Sequence, residues 1–116
     1  MASLGRDLAS GFEELIVYGL IGKIVSVAGK RAELAGILAD MEAMPGCMSY
    51  VVANDSSNPN ALWVTEVWET SEAHTASLNL AQVQAAIARG RPLIAALESR
   101  WETEPVGGIG LNRPRI

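Results

Sequence analysis

The run Ala61-Leu-Trp-Val-Thr-Glu-Val-Trp-Glu69 constrains the fold most, because its alternation leaves no side that suits water. As a strand it puts Leu62, Val64, Glu66 and Trp68 on one face and Trp63, Thr65 and Val67 on the other. Leu15 to Val27 reads the same way, with Leu20 and Ile24 set against Ile21, Val25 and Val27, which predicts a second strand buried on two sides. A sheet built from such strands needs a cover on each face.

The period changes after Gly29. Leu34, Ile37, Leu38 and Met41 form the stripe of an amphipathic helix from Lys30, which Pro45-Gly46 stops. Met48 to Asn54 is a strand, and the turn-rich Asp55 to Asn60 folds it back on Ala61 to Glu69 as an antiparallel hairpin. Thr70 or Ser71 caps the next helix, with Glu72 in its first turn, and that helix runs through Leu80, Val83 and Ile87 to Gly90. Arg91-Pro92 predicts a further short helix carrying Ile94 and Leu97, and Trp101 to Ile109 a last strand. Residues 1–14 read as an N-terminal arm or short helix, 15–111 as the domain and 112–116 as a tail. The order β-α-β-β-α-β is an α+β, ferredoxin-like arrangement with both helices on one face of an antiparallel sheet. A second copy covering the other face gives a dimeric α+β barrel.

Composition agrees with a homo-oligomer: 49% of 116 residues are hydrophobic, a surplus for so small a solvated body. The net charge of −4 argues against nucleic acid, whose binding needs clustered Lys and Arg. The lone Cys47 has no internal disulfide partner, as expected of a packed thiol in a cytoplasmic protein. Arg6, Asp7, Glu13 and Glu14 break up any signal-peptide core, and the longest apolar run is too short for a membrane span. One His, one Cys and a few carboxylates cannot furnish a metal cage of the usual kind, so no metal is expected. Gly107-Gly-Ile-Gly110 lacks the helix and Lys of a phosphate loop.

Four segments resemble the antibiotic biosynthesis monooxygenase family: Gly29-Lys-Arg with its helix, Pro45-Gly-Cys-Met-Ser-Tyr50, Glu66-Val-Trp68 with Glu72-Ala-His74-Thr-Ala-Ser77, and Ile87 through Arg91-Pro-Leu-Ile94. The resemblance implies a dimer with a pocket between the sheet and a two-part second helix. It also implies quinol- or anthrone-type oxygenation, in which a carbanion-like substrate reduces dioxygen without metal, flavin or haem. Val64 stands where the anthrone oxygenases carry an Asn, and Asn79 stands where the motif His-x-x-Ser-x-His carries its second His. Residues 80–97 contain no His to serve as the axial ligand of the haem-degrading relatives.

His74, near the start of its helix, is the candidate catalytic base, since a neutral imidazole takes a proton from a quinol or phenol near neutral pH. Trp68 is the candidate stacking wall, with Glu66 and Val64 beside it on the same strand face. Arg89 and Arg91, flanking Gly90, are candidates to hold an anionic oxygen. Each has a structural reading as well: His74 and Glu66 as an interface or surface pair, Trp68 as core, the arginines as caps. The expected function is a cofactor-independent monooxygenase acting on a small aromatic quinol or phenol with dioxygen. The competing readings are a non-catalytic ligand-binding or stress-associated module, favoured by Val64 and Asn79, and a cofactor-free isomerase.

Overall fold

A computed structural model of the chain describes residues 17–111; the expected arm at 1–14 and tail at 112–116 lie outside them. Strands β1 (Tyr18–Ser26), β2 (Cys47–Asn54), β3 (Ala61–Trp68) and β4 (Ile94–Thr103) form one antiparallel sheet in the order β2-β3-β1-β4. Helix α1 (Arg31–Ala39) joins β1 to β2, while α2 (Ser71–Ser77) and α3 (Ala81–Gly90) join β3 to β4. This is the expected ferredoxin-like α+β order.

Register aligns the buried positions. Leu20 of β1 stands opposite Glu66 of β3, Gly22 opposite Val64, and Tyr18 opposite Trp68. Leu34, Leu62 and Trp68 are the largest side chains buried almost completely, and Leu20, Ile37, Met48, Val64 and Ala86 complete much of the core between sheet and helices. Leu34 of α1 packs where Gly90 ends α3; a Cβ on Gly90 would stand 3.3 Å from Leu34 Cδ1. The β2–β3 loop is organised by Asp55, whose Oδ1 accepts from the amides of Ser57 and Asn58 at 2.7 and 3.0 Å. Arg31 Nη1 donates to the Asp55 and Asn58 carbonyls, tying α1 to that loop.

Two expectations are corrected. The helix after β3 is not continuous: Leu78, Asn79 and Leu80 close i→i−3 bonds, and Leu80 then turns extended with ψ 141°, so α2 and α3 are separate pieces. The segment carrying Ile94 and Leu97 is not helical beyond a 3₁₀ turn at Arg91–Leu93. Ile94 pairs with Ser26 instead, and β4 runs from there to Thr103 rather than to Ile109. Ala, Leu and Glu in Ile94–Glu98 favour helix locally, but the free edge of β1 offers strand pairing, taken up here with register shifts at Lys23/Ile24 and Val25/Ser26, and tertiary pairing overrides propensity. Beyond Thr103, Gly107, Gly108 and Gly110 all take positive φ and leave the strand.

Candidate active site

Three elements bring polar groups to the helix-covered face of the sheet. β3 delivers Glu66 and Trp68, and β2 delivers Tyr50, the register partner of Glu66. α2 delivers His74. Its start is fixed by Thr70, extended at φ −148° and ψ 161°, whose Oγ1 accepts from the Ala73 amide at 3.0 Å. Gly46 sets how close that helix comes. Its φ of +80° suits glycine, its carbonyl accepts from the Glu69 amide at 2.7 Å, and a Cβ there would stand 2.6 Å from Ala73 Cβ.

The Trp68 indole Nε1 donates to Glu66 Oε1 at 2.8 Å, and His74 Nε2 lies 3.9 Å from the same oxygen. The imidazole packs against the Trp68 ring, edge-on at 5.5 Å between centroids, and the Tyr18 ring, tilted at 5.6 Å. The Glu66 and His74 side chains keep 16% and 15% of their surface exposed, so both are largely shielded from water while still lining a pocket. Trp68 is 1% exposed, so its ring presents almost no free face for a ligand to stack on.

Glu66, Trp68 and His74 share a cavity of about 150 Å³ with Tyr50 and the apolar Leu38, Met41, Met44, Val83 and Ile87. A second cavity of about 240 Å³ adjoins it through Leu38, Tyr50 and Glu66, and runs past Val64 and Gly22 toward Leu97. Tyr50 donates its hydroxyl to the Leu38 carbonyl at 2.8 Å. Burial, then the nearby Glu66 carboxylate and Cys47, push its phenol up to about 12. Burial likewise raises the Cys47 thiol, which donates to the Ser49 carbonyl. Tyr18 donates to Glu102 Oε2 at 2.7 Å, and that bond is the main cause of its raised pKa.

The structure thus brings His74, Trp68 and Glu66 together and sets Val64 in the adjoining cavity. It does not bring Arg89 or Arg91 to either. Arg89 is two positions past Ile87 on α3, about 200° around the helix, and it lines an outer groove of about 500 Å³ with Asp40, Glu42 and Gln82. Arg91 is exposed in the 3₁₀ turn. Period-two reasoning missed Tyr18 and Tyr50 because only the strand register shows that one faces Trp68 and the other Glu66. Met41, expected on the stripe of the helix from Lys30, lies past the end of α1 at Ala39, and with Met44 it walls the cavity. Among the described residues no three His, Cys, Asp or Glu side chains converge as metal ligands, and no helix is long and apolar enough to cross a membrane.

The sequence model of the antibiotic biosynthesis monooxygenase family matches residues 27–89, a span that holds the whole Glu66–His74 cluster. The chain belongs to that family. A crystallised Chloroflexus aurantiacus protein, provisionally assigned to the antibiotic biosynthesis monooxygenases, is 56% identical over 83% of this chain and 99% of its own, with a TM-score of 0.80. Another so assigned, from Deinococcus radiodurans, is 26% identical over 79% of this chain and 95% of its own, with a TM-score of 0.66. A third, from Caulobacter crescentus, shares the fold at 17% identity, a TM-score of 0.72, and coverage of 85% and 98%. No curated protein matches this antibiotic biosynthesis monooxygenase family member.

Proposed function

We propose that the chain is a cofactor-independent monooxygenase of small aromatic quinols or phenols, working as a cytoplasmic homodimer. The observation that carries the reading is the meeting of His74 and Glu66 at the wall of an otherwise mostly apolar cavity, in a chain of this family. An apolar pocket with one base and one carboxylate suits a flat, weakly polar ring bearing an acidic hydroxyl. His74 accepts the hydroxyl proton, and the Glu66 carboxylate offsets the charge of the imidazolium formed. The electron-rich phenolate then reduces dioxygen. For a quinol, one oxygen atom enters the ring and the other leaves as water, giving a hydroxyquinone.

Oxygen uptake with a panel of quinols and anthrones tests the reading. Turnover is expected with at least one of them, and His74→Ala should slow it by roughly 10² to 10⁴, the usual contribution of a positioned base. Uptake that is absent throughout, or unchanged in His74→Ala, sinks it. Proton exchange without oxygen uptake indicates an isomerase, and thermal stabilisation by the ligand without turnover indicates a binding module.

A further inference from the structure

We infer that Glu66 is a positioning residue for His74, moored in turn by the Trp68 indole N–H, so that Nε2 is held as the protonated imidazole nitrogen and Nδ1 is left to accept a proton. Its use in proton abstraction rests on the monooxygenase reading above; the array itself does not. The indole N–H has one donor, and at 2.8 Å it is spent on Glu66 Oε1. Among the rotations open to the Glu66 side chain, that bond selects one which sets the same oxygen 3.9 Å from His74 Nε2. A movement of under about 1 Å closes this to hydrogen-bond length. A carboxylate oxygen accepts two such bonds and cannot donate, so the nitrogen facing it is the one that carries hydrogen. The Tyr18 and Trp68 rings packed against it limit the turning of the imidazole. Trp68, almost fully buried, therefore acts through Glu66 rather than as a surface on which substrate stacks.

The chain's single histidine gives one set of imidazole signals, so ¹⁵N NMR of the full-length protein at mildly alkaline pH reads the array directly. The wild type should show a slowly exchanging Nε2–H and shifts fixed at that tautomer. Glu66→Gln, which keeps an acceptor oxygen, should retain the signal. Glu66→Ala should lose it, and Trp68→Phe, which keeps an aromatic ring but no N–H, should broaden it toward loss. An absent signal in the wild type, or one that survives Glu66→Ala, overturns the pairing; an unchanged signal in Trp68→Phe overturns the mooring. Should Glu66→Ala not fold, the wild type, Glu66→Gln and Trp68→Phe decide the matter. With an active substrate, Trp68→Phe should lower kcat by about tenfold at nearly constant KM, because orientation rather than binding is lost. A rise in KM alone would restore the stacking role. The NMR readout needs no substrate, so failed oxygen uptake removes the monooxygenase and leaves the array standing.

Discussion

Burial and the adjacent Glu66 hold the Tyr50 phenol protonated up to about 12, whereas an unfolded tyrosine ionises near 10. The folded state therefore keeps a proton that the unfolded chain releases between those values. Stability that is fully present below about pH 10 falls as pH rises toward 12. Tyr50→Phe should flatten this alkaline decline in melting temperature, at a cost of about 1 kcal/mol for the lost bond to the Leu38 carbonyl. It should not abolish the decline, because Tyr18 is raised as well, and in the same direction. Melts of both proteins from pH 8 to 12 check this. An equally steep decline in the variant places the titration elsewhere. At this scale Glu66, Trp68 and His74 were legible, because alternation and a helix cap are local signals. Tyr18 and Tyr50 were not, because their place opposite Trp68 and Glu66 depends on how distant strands slide into register.

α2 is only seven residues long and could not persist by itself, so its ends must be held from outside. Thr70 holds the start through its side-chain cap, and Gly46 holds the helix against the sheet by leaving room for Ala73. Thr70→Ala should cost about 1 kcal/mol in denaturant unfolding. Gly46→Ala should cost roughly 1–3 kcal/mol from the left-handed backbone alone, and more from the clash with Ala73. Both act on the seating of one short helix, so the double variant should lose less than the sum of the two. Strict additivity would show that they do not meet through α2. The cap at Thr70 or Ser71 was readable in the chain. The break at Leu78–Leu80 was not, since no Gly or Pro falls between Ser71 and Arg89 to mark it. β4 was misplaced for a related reason: Ile94–Glu98 carries helix-forming residues whose fate is decided by the free edge of β1.

Among the described residues, one face of the sheet is covered by α1, α2 and α3 and the other bears Ile21, Lys23, Trp63, Thr65 and Val67. On that second face Trp63 and Trp101 stack across β1 at 5.9 Å and nearly parallel, and Trp101 and Val51 stay 53% and 52% exposed. Lys23 lies 5.7 Å from the Trp63 ring centroid and pairs with Glu98 at 3.3 Å, so among the described residues its charge on this face is matched. The two-sided apolar alternation of β3, legible from the start, is satisfied on one side by the helices, and the proposed homodimer would cover the other with a second copy. Sedimentation equilibrium of the wild type should give a dimer. Trp101→Glu places an unpaired charge beside Trp63 while leaving the helix-covered face untouched, so its circular dichroism should match the wild type. Its dimer dissociation constant should rise about 30-fold or more, the weight of a ~2 kcal/mol interface tryptophan. An undiminished dimer in this variant would mean that the copies meet elsewhere, and that the stacked tryptophans await a different cover.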